Sequence, residues 1–165
     1  GGHGDGCNFQ DEDRFSHARR AMHQAVMYGF LLCFASTSVA TVMHYAFNMP
    51  APYGFFSLPK LLGVTGGILL CLGTLGLLRL KTMGRPELQA PEVRGGEFGF
   101  ILLLFTVSAS GLLLYVLGST SALEPLLALH LGAVLTFFVL TPYSKMAHGF
   151  FRLAALVRDA QRKLG

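Results

Sequence analysis

Four long apolar stretches divide the chain, at about residues 25–47, 58–80, 98–118 and 122–143. The first and third contain no Asp, Glu, Lys or Arg. Each is long enough for the ~20 residues that an α-helix needs to cross a bilayer. Asn48, Pro50 and Pro52 end the first stretch. Ser57 stands as an N-cap for the second, with Pro59 in its first turn. Lys81 to Glu97 is polar, holds Pro86, Pro91, Gly95 and Gly96, and reads as a loop. Ser121 and Glu124 form a capping box ahead of the fourth stretch, with Pro125 in the first turn. Pro142 predicts a kink. Beyond it His148, Arg152, Arg158 and Arg162 alternate with apolar residues, the pattern of a helix lying in the membrane interface to about Lys163. The pattern predicts an all-α membrane protein: a four-transmembrane-helix bundle with an interfacial C-terminal helical extension. Residues 15–165 form that membrane domain, and Ser16 is placed to cap its first helix. Gly1 to Arg14 is rich in Gly and Asp and reads as a linker from an absent upstream domain.

Composition agrees. Of 165 residues, 52% are hydrophobic and 13% charged, against ~25% charged in a soluble domain. The net charge of +4 comes from basic residues clustered at segment ends, without the aromatic-laced basic stripe of a nucleic-acid binder. Three cysteines, Cys7, Cys33 and Cys71, are too few and too scattered for a disulfide framework. Cys33 and Cys71 fall in apolar stretches, where they read as small hydrophobes. No C-x-x-C-H is present, which excludes covalently attached haem.

Charge also predicts orientation. Of the 13 Lys and Arg residues, only Lys60 falls in an outer loop under the four-span reading. The rest precede the first span, lie between the second and third, or follow the fourth. The positive-inside rule then places both termini in the cytoplasm.

The candidate chemistry lies in four histidines. His44 and His130 are the only readily ionisable side chains within the apolar cores. A polar group in hydrocarbon is costly and marks function more often than not. His23 and His44 are 21 residues apart on the first span, along the heptad series His23, Met27, Phe30, Phe34, Thr37, Thr41, His44. His130 and His148 are 18 residues apart. If Leu127 to Leu156 is one helix, that spacing is five turns on one face, ~27 Å against ~31 Å for the first pair. Antiparallel spans then match His44 with His130 near the outer face and His23 with His148 near the inner face. Paired imidazoles at two levels suit one or two haem b groups, with iron held by His44, His130, His23 and His148. Zinc fits less well, because no H-x-x-x-H or H-E-x-x-H pair occurs. Tyr143 and Lys145 suit a quinone carbonyl at the inner face, or an ordinary interfacial anchor. His3 and His17 read as solvent-facing. Gly63 and Gly67 form a G-x-x-x-G helix-packing pair. Two alternatives stand beside the cytochrome: a haem-free membrane anchor for a redox domain, and a small transporter. The second lacks acids at mid-membrane depth.

Four stretches carry a resemblance: GGHGDGCN at the start, YGFLLCFAS with VATVMHY in the first span, PAPYGFFSLPKLLG at the first turn, and KMAHGFFRLAALV near the end. With them the chain resembles the membrane-embedded C-terminal part of the citrate- or tricarballylate-utilisation protein B family, nearly end to end. The resemblance implies a cytochrome b-like electron carrier, similar in kind to the haem-b subunits of respiratory nitrate reductases. It implies iron–sulfur clusters in the absent upstream domain and a partner flavoprotein dehydrogenase, carrying FAD, that oxidises tricarballylate. It further implies delivery of electrons to quinone in the bacterial inner membrane, and it carries over the same four histidines.

Overall fold

A computed structural model describes residues 9–10, 14–15, 17–54, 56–83, 91–144 and 148–164. Five α-helices account for most of them. They are α1 (Ala18–Phe47), α2 (Leu58–Met83), α3 (Pro91–Leu117), α4 (Leu123–Leu140) and α5 (His148–Leu164). A two-residue antiparallel pairing of β1 (Phe9–Gln10) with β2 (Arg14–Phe15) precedes them. The first four helices are long and apolar enough to cross a membrane. Their outward faces expose Tyr28, Leu31, Leu72, Leu102, Leu113 and Leu135. So much exposed apolar surface calls for hydrocarbon as the surrounding solvent, and helices satisfy their backbone groups internally there. The chain is an all-α membrane protein.

The boundaries differ from the expected ones for local reasons. α1 begins at Ala18, two turns before the apolar stretch, because Arg19, Arg20 and Gln24 are good helix formers. His17 is its N-cap residue and makes no side-chain cap bond; Ser16 lies outside the described residues. At the other end Asn48 adopts the left-handed conformation at φ 51° and its N–H closes on the Met43 carbonyl. Within the polar stretch 81–97 the described residues, 81–83 and 91–97, are helical, which corrects their reading as a loop. α2 continues to Met83, and α3 starts at Pro91, where the missing N–H of proline costs nothing. The Ser121–Glu124 capping box does not form. Ala122 is the N-cap residue of α4, and its N–H meets the Thr120 hydroxyl at 3.3 Å. Ser57 accepts the Leu61 N–H on its carbonyl, while its hydroxyl is buried with no hydrogen-bond partner among the described residues.

The last long helix is broken. α4 stops at Leu140, a single 3₁₀ turn spans Thr141–Tyr143, and Ser144 is extended. Pro142 in that turn cannot donate to the ladder, and its ring clashes with the preceding turn. The five-turn spacing of His130 and His148 therefore does not describe one helix face. α5 is a separate amphipathic helix with Phe151, Leu153, Leu156 and Val157 exposed.

The helices pack in chain order, α1 on α2, α2 on α3 and α3 on α4. The row curls until Phe137 of α4 meets Phe30 of α1, with ring centroids 5.5 Å apart. Val26, Leu70, Leu104 and Phe137, one from each of the first four helices, form the buried core. Glycine sets the α1–α2 crossing. A Cβ on Gly29 would lie 2.6 Å from the Leu70 backbone nitrogen, and one on Gly66 would lie 2.8 Å from the Gly29 carbonyl oxygen. Gly73 repeats the approach one heptad on, against Val26. The expected Gly63–Gly67 pair splits instead: Gly63 faces Ser36 of α1, and Gly67 faces Leu112 of α3.

Both ends of α2 are tied to α3. Lys60 Nζ sits 5.4 Å from the Tyr115 ring centroid. At the far end Lys81 pairs with Glu97 and lies 5.0 Å from the Phe98 ring centroid.

Candidate functional site

The curl of the helix row leaves a cavity of about 910 Å³. Phe30, Phe34, Leu70, Leu104, Phe137 and Phe138 supply much of its apolar lining. The wall from α1 owes its room to the small residues Ser36, Thr37, Ala40 and Thr41.

Most polar groups on this lining have spent their protons. Thr37 donates to the Cys33 carbonyl at 3.1 Å, Ser38 to Phe34 at 2.9 Å and Thr41 to Thr37 at 2.8 Å. Ser36 donates across to the Pro59 carbonyl at 2.6 Å, and Tyr53 to Ala40 at 3.0 Å. Ser108 bonds the Phe105 carbonyl at 3.0 Å and touches Cys71 Sγ at 3.1 Å. Cys33 also lines the cavity, with its sulfur packed toward the Gly66 backbone. The side-chain nitrogen groups on this lining are the imidazole of His130 and the ammonium of Lys60.

His130 is held firmly. It lies in the third turn of α4, and its ring rests on Gly111 of α3, where a Cβ would come within 3.1 Å of Cε1. Glycine at 111 thus makes the seat for the ring. The neighbouring Ser110, buried, places its Oγ 3.0 Å from His130 Nδ1. The Ser110 hydroxyl has one proton and three acceptors in reach: the Thr106 carbonyl at 2.6 Å, the Val107 carbonyl at 3.2 Å and Nδ1 itself. When the proton goes to the shortest of these, on Thr106, Oγ accepts from His130 and Nδ1 carries the imidazole proton. Nε2 then keeps its lone pair on a ring that lines an apolar cavity. This is the tautomer a metal-binding histidine adopts, its second nitrogen fixed by an outer hydrogen bond.

The other expected residues are placed as follows. His44 lies in the last turn of α1, exposed, its ring edge-on to Tyr45 with centroids 4.8 Å apart. It does not line the cavity. It does follow Thr37 by seven residues and Thr41 by three, so it continues the cavity-lining stripe of α1 by one turn. His44 and His130 share the half of the bundle where α1 ends and α4 begins. His23 is exposed near the opposite end of α1. His148 opens α5; its side chain, like Lys145, His3 and Cys7, lies outside the described residues. Tyr143, in the 3₁₀ turn, is 88% exposed. No cluster of three or more His, Cys, Asp or Glu side chains occurs among the described residues.

Sequence reasoning missed Ser110 and Gly111. Their signal is present but weak: a small polar residue beside glycine, in a span with no charge, opposite the one histidine of α4.

The family model described as Citrate utilization protein B matches residues 2–164. A protein of Escherichia coli named Citrate utilization protein B is 47% identical over 164 residues, which cover 99% of this chain and 43% of that protein. The chain thus spans less than half the length of the curated relative it matches. No solved structure matches the chain.

Proposed function

The chain belongs to the citrate utilization protein B family, and on that premise we propose that it is the membrane electron-transfer module of a citrate- or tricarballylate-utilising oxidoreductase. It would take electrons from a cytoplasmic iron–sulfur and flavin dehydrogenase and pass them to quinone in the bacterial inner membrane, with both termini on the cytoplasmic side. The reading rests on one observation above the rest. The imidazole of His130 lines an apolar cavity between four spans, with Ser110 Oγ 3.0 Å from its Nδ1.

The lining suits haem b in volume, polarity and donor. Haem b, when bound, supplies a one-electron couple that no side chain here offers. The chain's own residues do the rest. His130 would hold the haem iron, oriented by Ser110 and seated on Gly111. Phe30, Phe34, Phe137 and Phe138 would exclude water and flank the ring system. His44, one turn along the α1 stripe, is the proposed partner ligand. His23 and His148, at the other level, are the proposed pair for a second haem. Tyr143 and Lys145 are the corresponding quinone-side candidates. A haem-free anchor for a redox domain is the second reading, and the exposure of His44 favours it.

A reduced-minus-oxidised absorption spectrum of the protein from haem-replete cells separates the two. Low-spin b-type bands with extractable haem support the cytochrome. A folded, colourless protein supports the anchor.

A further inference from the structure

Lys60 stands out twice. By sequence it is the one Lys or Arg of 13 that the span pattern puts on the outer side, against the usual bias of membrane loops. By structure it is the one charged side chain, among the described residues, that lines the cavity. Its ammonium lies 5.4 Å from the Tyr115 ring centroid, and Tyr115 lines the same cavity. No carboxylate among the described residues pairs with it. A cation facing an apolar cavity without a counter-ion, held only by a ring face, is poised for an anionic group.

The depths of the two active groups are also related. His130 is level with Ser110 and Gly111 on α3. Tyr115 is four to five residues further along the same helix, ~6–7.5 Å nearer the outer end. Pro59, Lys60, Tyr53 and Tyr115 together make that end of the cavity. A ligand reaching both groups must be apolar over most of its area, carry a metal or acceptor at the depth of His130, and end in an anion at the depth of Lys60.

We infer that Lys60 receives a carboxylate of the cavity's ligand, so that the haem proposed above enters with its propionates toward the outer face. The inference rests on the cytochrome reading and adds the direction of the ligand and the residue that selects for its acid groups. Lys60 is then a specificity residue: it discriminates a free carboxylate from a neutral ester on the same macrocycle.

The test is titration of the haem-depleted protein, in detergent, with haem b and with its dimethyl ester, followed by absorbance. Wild type should bind the free acid about tenfold or more tighter than the ester, the worth of a charge-assisted contact. Lys60→Met should bind both alike, near the wild-type affinity for the ester. Lys60→Arg should keep the preference. Equal affinity of wild type for acid and ester would overturn the inference while leaving the cytochrome reading standing, and needs no variant to fold. The same preference in Lys60→Met as in wild type would also overturn it, and would leave Lys60 to the phosphate of a lipid headgroup. Binding of neither compound by wild type would overturn both readings together.

Discussion

Ser110 Oγ and His130 Nδ1 meet at 3.0 Å across α3 and α4, and the Thr106 carbonyl lies 2.6 Å from the same hydroxyl. With the serine's proton on Thr106, the pair leaves Nε2 as the imidazole nitrogen that carries the lone pair. Replacing Ser110 with Ala should loosen the ring, let the other tautomer form and lower haem affinity by about 10- to 100-fold, as loss of an outer-shell partner does. Haem titration checks the affinity, and ¹⁵N NMR of the haem-free protein checks the tautomer independently of any cofactor.

The α1–α2 crossing predicts a sharp contrast among glycines. Gly29 and Gly66 each oppose backbone, which cannot yield as a side chain does. Alanine at either should destabilise the bundle by about 1–3 kcal/mol through overpacking. Alanine at Gly99 or Gly132, where the space is open, should change stability by no more than about 0.5 kcal/mol. Unfolding in mixed detergent micelles measures all four. Similar losses at Gly29 and Gly132 would contradict the packing described.

Lys81 and Glu97 tie α2 to α3 with side chains only 12% and 20% exposed. Replacing either alone, as Lys81→Met or Glu97→Gln, removes a partly buried ion pair and should cost about 1–3 kcal/mol. Replacing both, as Lys81→Met with Glu97→Leu, should recover much of the loss, since an apolar pair pays no desolvation. The same unfolding assay yields the double-mutant cycle.

How far the residues announced this arrangement depends on the kind of interaction. The four spans are visible because hydropathy over twenty residues is a sum, and errors at single positions average out. The stop at Asn48 and the break at Pro142 are visible because each residue has a local steric reason. The start of α3 at Pro91 was hidden, since a proline that opens a helix looks like one that ends a loop. Gly63 and Gly67 form the recognisable motif, yet Gly66 and Gly73 are the ones that meet the α1 backbone, because crossing geometry and not spacing alone selects the face. The same limit applies to the histidines. His130 was legible as a polar residue in a span, but its seat on Gly111 and its bond to Ser110 are relations between helices. The face shared by His130 and His148 assumed a helix that Pro142 interrupts.

Orientation is testable without the cofactor. Reporter domains fused at either end, or within residues 84–90, should read cytoplasmic, and one fused near Pro52 should read external, given the placement of 12 of 13 basic residues on one side. A terminus on the outer side would reverse the proposed route of electrons.

Histidine replacements divide the proposed ligands. His44→Ala should match His130→Ala in losing haem, because a bis-histidine centre fails when either ligand goes. His23→Ala and His148→Ala should remove a second haem together or not at all. His3→Ala and His17→Ala should leave haem content unchanged. Haem per protein, with low-spin iron followed by electron paramagnetic resonance, distinguishes these cases.

The central claim is that His130 holds haem iron in the cavity between the spans. Its most direct measurement is the reduced-minus-oxidised spectrum of wild type beside His130→Ala, both purified from haem-replete cells and both shown to be folded. The account predicts low-spin b-type bands in wild type and their loss, wholly or by one haem equivalent, in the variant. Full low-spin haem in His130→Ala, or a folded wild type with none, would contradict it.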